Sequence, residues 1–173
     1  MKFSEKWLRE WVDPAMSAED LAHRLTMIGH EVEQIEPHGH GLDGVIVAEV
    51  LEVAKHPSAD RLSLCQVSDG SRKPFAVVCG APNVRVGMKS AFAPVGAQLP
   101  DGNKLRRVKI RGIESNGMLC SALELALGEE SDGILELTED APVGQSFVEY
   151  MDLPDCSFNV DLTPNRGDCF SVL

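Results

Sequence analysis

The sequence predicts a mainly β protein of the α+β class, with a small five-stranded barrel inserted into a discontinuous α+β domain. Three observations predict it. Short stretches of alternating hydrophobicity recur between Val45 and Ile110, separated by Gly, Pro, Asn and Asp, which is the pattern of a small antiparallel barrel or sandwich. Helix-period stretches lie mainly before Gly39. The strings EVEQIE and FNVDL, far apart in the chain, alternate in the same way and are expected to pair. The expected division is 1–38 and 151–173 as the two parts of the small α+β domain, the second cut short, and 39–150 as the barrel.

The opening SEKWLREWVD reads as a helix capped by Ser4 and stopped at Asp13-Pro14. Its Trp7, Leu8 and Trp11 share one face, and both tryptophans are expected in the core. Ser17 with Asp20 resembles a capping box. It heads a second helix with the apolar stripe Leu21, Leu25 and Ile28, closed at Gly29. His30 to Glu36 is expected as a strand, and PHGHGLDG as an exposed hinge. Five barrel strands follow, at Val45–Val53, Leu62–Val67, Phe75–Val78, Ser90–Val95 and Leu105–Ile110. Their number and length fit an OB-type barrel. Ser121 and Glu124 form a second capping box, which predicts a short helix over Ala122–Leu127, and GILEL then reads as a last strand. Past Pro154, Phe158, Val160 and Leu162 alternate inward. Thr163-Pro164-Asn165-Arg166 reads as a turn into a helix that the chain, ending at Leu173, has too few residues to complete, so a piece of a longer protein is expected.

Composition excludes several classes. No apolar run approaches the roughly 20 residues that span a bilayer. The start has neither the apolar core nor the cleavage site of a signal peptide, so a cytoplasmic protein with no membrane partner is expected. Cys65, Cys79, Cys120, Cys156 and Cys169 form no C-x-x-C pair and no zinc-spaced set with histidine, which predicts reduced structural thiols. No nucleophile with a plausible base, no Gly-rich phosphate loop and no metal cluster is visible. No catalytic residue and no cofactor are assigned to these residues.

The net charge of -11 is unlike that of a general nucleic-acid binder, yet its distribution is polarised. From Arg72 to Arg111 there are nine Lys or Arg against the single acid Asp101; from Gly112 to Tyr150 there are nine acids and no base. A unit with one cationic and one anionic strip attracts a polyanion in one orientation and repels it in others. The strip KLRRVKIR supplies Lys104, Arg106, Arg107, Lys109 and Arg111. Arg107, Lys109 and Arg111 share one parity, and Leu105 joins the opposite apolar face only if a bulge at Arg106-Arg107 shifts the register. Two readings stand side by side: contact with a phosphate backbone, or a solvated edge guarded by its charges. In SNGMLCS, Ser115 and Asn116 either present polar groups to a sugar or base or form a tight corner, with Met118 and Leu119 entering the core. Asn83 in APN either reads a base edge or caps its own turn.

HPSADRLSLCQV, VVCGAPNVRVG and LPDGNKLRRVKIRGIESNGMLCSALEL closely resemble a tRNA-binding OB domain. That domain is shared by bacterial phenylalanine–tRNA ligase β subunits, many methionine–tRNA ligases and small free-standing tRNA-binding proteins. SEKWLREWVD, GHEVEQIE and DLTPNRGDCFSVL are similar to the amino-terminal region of the β subunits. The resemblance implies tRNA(Phe) and the ligase α subunit as partners, in a heterotetramer. It implies a much longer β chain carrying an editing site, a catalytic-like module and an anticodon-binding domain. The aminoacylation site, with ATP, Mg²⁺ and phenylalanine, is implied on the α subunit. This region is then a non-catalytic part of an aminoacyl-tRNA synthetase that binds or guides tRNA; its candidate contacts are Asn83, Lys104, Arg106, Arg107, Lys109, Arg111, Ser115 and Asn116. The alternatives are a stand-alone tRNA-binding or chaperone-like OB protein, and a barrel that is only a structural spacer.

Overall fold

The serine caps expected for the first two helices are formed. In the computed structural model, which describes residues 1–162, Ser4 Oγ accepts the Trp7 amide at the head of α1 (Glu5–Arg9), and Ser17 Oγ accepts the Asp20 amide at the head of α2 (Ala18–Met27). The first helix is shorter than its sequence suggests. Arg9 bonds back to Glu5 and forward to Asp13 and to the carbonyls of Pro14 and Met16, so the chain beyond it is held as a turn. The tryptophans are consequently not core residues: Trp11 lies past the helix and is 64% exposed, Trp7 is 38% exposed, and Leu8 is the buried side chain. Ile28, at the helix end, is exposed as well.

Contacts divide the described chain into two units: Met1–His38 with the described residues from Pro154 onward, and Gly39–Leu153. In the first, β2 (Glu31–His38) pairs antiparallel with β10 (Asp155–Asp161), placing Ile35 opposite Phe158 and Val32 opposite Val160. A further strand, β1 (Lys2–Ser4), completes the order β1-β10-β2. Three residues are too few for an alternation to be read, so β1 has no visible sequence signal. Phe3 and Phe158 lie in ring contact at 5.5 Å and share a core with Leu8, Leu21 and Val160. His38, expected in an exposed loop, ends β2 and bonds Ser157 Oγ at 2.8 Å. The expected turn at Thr163–Arg166 and Cys169 lie outside the described residues.

In the second unit, β3 (Ile46–Lys55), β4 (Ser63–Ser68), β5 (Phe75–Cys79), β6 (Lys89–Pro94) and β9 (Gly117–Leu119) form one antiparallel sheet in the order β5-β4-β3-β6-β9. A bulge at Leu51 lets the long strand β3 pair with β6 through its first half and with β4 through its second, the usual way of bending a strand around a small barrel. The ends approach one another where the Asn116 amide donates to Ala76 O at 2.9 Å and the Val78 amide to Ser115 Oγ at 3.1 Å. The result is a nearly closed five-stranded barrel consistent with the OB type.

The fifth barrel strand is not the cationic segment. β7 (Val108–Ile110) pairs only with β8 (Ile113–Ser115), as a separate hairpin, and β9 takes the fifth place. Leu105 does reach the core, with Arg106 and Arg107 outside any strand between it and β7. The expected helix at Ala122–Leu127 is a set of turns. Its capping box is present, with Glu124 accepting the Ser121 amide at 2.7 Å, but Ala126 at φ +52° stops propagation at once. GILEL makes only an isolated bridge between Glu136 and Ser90.

These departures have one cause. Val47, Ala91 and Ala93 put apolar side chains on the outer face of β3 and β6, with Val45 just before β3, and Leu137, Ala141 and Phe147 cover them, the last from α3 (Phe147–Tyr150). The opposite parity of the same strands, Ala48, Val50 and Phe92, packs inward with Cys65, Val67, Val77 and Leu119. The acidic stretch therefore wraps the barrel as a covering strap. Cys65, Cys79, Cys120 and Cys156 are free and buried.

Candidate nucleic-acid interface

Two of the nine cations of the basic stretch are spent on the strap. Arg85 forms an ion pair with Glu136, and Lys89 donates from Nζ to the carbonyl oxygens of Glu139 at 2.6 Å and Ala141 at 2.7 Å. The Glu136 carboxyl is held below its usual range by that arginine. The side chains of Arg72, Lys73, Lys104, Arg106, Arg107, Lys109 and Arg111 are all exposed. Among the described residues, no hydrogen bond or ion pair engages those side chains.

The hairpin sets their geometry. Ile110 and Ile113 face each other across a two-residue turn, in which Arg111 at φ +49° and Gly112 at φ +91° both adopt the left-handed backbone of a type I′ turn. Arg111 therefore sits at the tip rather than along the strand. Lys109 stands opposite Glu114. Arg106 and Arg107 line different clefts: Arg106 and Lys104 line a groove of about 640 Å³, and Arg107 lines one of about 520 Å³ with Lys73, Phe75 and Asn116. His56 steadies the hairpin from below. Its buried ring accepts the Ser58 amide on Nδ1 at 3.1 Å, which leaves Nε2 as the donor to Ile110 O at 3.4 Å.

The remaining expected contacts fare differently. Ser115 is 1% exposed, and its hydroxyl accepts from Val78 N while donating to Gly117 O at 2.9 Å. It holds the barrel seam and is not available to a sugar or base. Asn83 neither reads an open edge nor caps its own turn: its Nδ2 donates to Ile134 O at 2.8 Å and its Oδ1 accepts Ile134 N at 3.0 Å. Gly133 permits that approach, since a Cβ there would meet the Asn83 amide at 2.7 Å. Asn116 is half-buried and faces the Arg107 cleft, with Nδ2 3.4 Å from Ala76 O. Lys73 and Phe75 line the same cleft as Arg107; a lysine two residues before an aromatic that opens a barrel strand is their signal in the sequence.

Exposed cations beside two clefts, on a barrel with a half-buried aromatic, are compatible with binding of nucleic acid. The comparisons with known proteins agree. Residues 45–146 match the family described as putative tRNA binding domain, and the chain belongs to that family. Over its whole length it is similar to the amino-terminal region of phenylalanine–tRNA ligase β subunits. The identity is 56% over 172 residues, 99% of this chain, with that of Pseudomonas fluorescens. It is 56% over all 173 residues with that of Dechloromonas aromatica, and 52% over 172 residues with that of Acinetobacter baylyi. The chain spans 22% of the length of each of these relatives. No helix among the described residues is long and apolar enough to cross a membrane.

Proposed function

We propose that this chain is the tRNA-engaging amino-terminal region of a cytoplasmic phenylalanine–tRNA ligase β subunit. It binds or guides tRNA(Phe) through the segment Lys104–Arg111 and its two flanking clefts. The observation that carries this reading is the sorting of charge: Arg85 and Lys89 are consumed in holding the acidic strap, while the cations of Lys104–Arg111 are exposed and, among the described residues, unengaged. A mere solvated edge gives no reason for Arg106 and Arg107 to serve separate grooves. The similarity also runs through the flanking unit, which favours a ligase subunit over a stand-alone binding protein.

The site residues of this proposal are Lys104, Arg106, Arg107, Lys109 and Arg111, with Lys73, Phe75 and Asn116 around the second cleft. Asn83 and Ser115 support the scaffold. Attachment of phenylalanine to tRNA belongs to the full ligase, with the α subunit as partner and ATP and Mg²⁺ as its requirements. Among the described residues no group of three or more His, Cys, Asp or Glu is gathered, and ATP and Mg²⁺ are assigned to the full ligase. No step is routed through ATP or Mg²⁺ on this chain, and its contribution is to bind and orient.

Reversal of Arg107, Lys109 and Arg111 to Glu tests the reading. Each lost phosphate contact lowers the slope of log affinity against log salt by roughly 0.7 to 0.9. Three exposed side chains contribute little to stability. The expected result is weaker tRNA binding in a low-salt titration with an unchanged melting transition. Equal binding by the parent and the reversed variant would show that the hairpin is a solvated edge.

A further inference from the structure

The groove that holds Lys104 and Arg106 also has an acidic wall. Of about 640 Å³, it is lined by those two cations, by Glu124 and Asp132, and by apolar side chains including Val108 and Met118. Its volume lies within the range of small-ligand sites. A uniform polyanion groove would not carry carboxylates, because each one repels the phosphate that the cations attract. A single unstacked nucleotide resolves the conflict. Its phosphate needs cations, the face of its base needs an apolar surface, and the edge of an amino-bearing base needs acceptors.

The two carboxylates are not equivalent. Glu124 Oε2 already accepts the Ser121 amide at 2.7 Å and the Ser121 hydroxyl at 2.9 Å. Asp132 is exposed, and among the described residues no hydrogen bond or ion pair engages its side chain. Its position is nevertheless fixed from beneath, because Asn83 clamps Ile134 and packs against Gly133, the two residues that follow it. An ionised carboxylate only accepts hydrogen bonds. Among the bases, guanine alone offers it two adjacent donors on its Watson–Crick edge, N1–H and the exocyclic amine.

We propose that this groove is a subsite for one unstacked guanosine of a single-stranded RNA segment, with its phosphate on Lys104 and Arg106 and its base edge on Asp132. The proposal rests on the RNA-binding reading and adds a base preference to it. Asp132 is the specificity-determining residue, and Asn83 is a positioning residue acting through the loop that carries it. The acidic wall then serves recognition, and the opposing charges of the groove fix the direction in which a strand lies.

The test uses the 173-residue chain and fluorescently labelled hexauridylate at low salt, compared with the same strand carrying one internal guanosine or one internal inosine. Inosine lacks the exocyclic amine and keeps N1–H. The guanosine strand is expected to bind about tenfold more tightly than hexauridylate, within the range that one good bidentate base contact supplies, with the inosine strand between them. Asp132→Asn is expected to abolish most of the preference, read as the ratio of guanosine-strand to hexauridylate affinity within the variant. Equal binding of all three strands by the parent, or an undiminished preference in Asp132→Asn, overturns the subsite and leaves the RNA-binding reading standing. Failure of every strand and of tRNA to bind overturns both. The inosine comparison needs no variant, so the proposal remains open to refutation should Asp132→Asn fold poorly.

Discussion

Gly117 shows how much can rest on one missing methyl group. It begins β9 at φ +148°, and a Cβ there would meet two ring carbons of Phe92 at 2.5 and 2.6 Å and the Ala93 carbonyl oxygen at 2.7 Å. Phe92 is fully buried and in contact with Phe75 at 5.2 Å, so the ring has little room to give way. Gly117→Ala is therefore expected to destabilise the barrel by about 2–4 kcal/mol, combining backbone strain with overpacking. A urea denaturation curve checks it, and a cost near zero would mean that the seam is looser than its contacts indicate. At the same scale, Asn83 and Ser115 explain why polar residues in turns are ambiguous in a sequence. An amide or hydroxyl that bonds a distant backbone looks identical to one that awaits a ligand. Nothing local to Asn83 announces Ile134.

Among the elements, helices and hairpin obey different controls. The capping serines act wherever they stand, since a cap needs only a nearby amide. Ser17→Ala is expected to cost about 1 kcal/mol by removing the bond to the Asp20 amide; circular dichroism during urea titration reads it, and a cost indistinguishable from zero would mean that water caps α2 equally well. Propagation is another matter, because Ser121 and Glu124 form their box and still head no helix. Leu125, whose side chain is fully buried, and Leu137 are both drawn into the outer core of the barrel, and Ala126 takes a left-handed backbone there. Burial of those side chains outweighs the small cost of one unfavourable backbone angle. The hairpin departs from the expected fifth barrel strand for a related reason. KLRRVKIR has the alternation of a strand, but the break at Arg106-Arg107 divides it into a core anchor at Leu105 and a separate two-stranded ribbon.

For the whole molecule, the polarised charge separates two jobs. The acidic strap covers the outer face of β3 and β6 and is held by Arg85 and Lys89, and the uncommitted cations gather on Lys104–Arg111. The two-unit division leads us to propose that Gly39–Leu153 folds by itself as an insertion in the flanking domain. Its ends support this, since a Cβ at Gly39 would lie 2.6 Å from that of Leu153, which places entry and exit side by side. Residues 39–153 produced alone are expected to give β-rich circular dichroism and one cooperative melting transition. A chain that melts without cooperativity would show that the flanks are needed. In the intact chain, the amides paired between β2 and β10 are expected to resist hydrogen exchange to a similar degree, because each strand lends the other its partners.

The sequence by itself determined the class of fold, both helix caps, the pairing of EVEQIE with FNVDL and the residues of the cationic segment. All of these depend on periodicity, on short-range hydrogen bonding or on charge, which are written along the chain. Only the tertiary structure decided which strand closes the barrel, which of the basic residues are spent on the strap, and that Asn83 and Ser115 serve the scaffold. Those outcomes depend on which distant groups compete for the same side chain. Alternation tells which face of a strand is apolar; it does not tell which of two apolar strands wins the last place in a sheet, because that is settled by packing against residues that lie elsewhere in the chain.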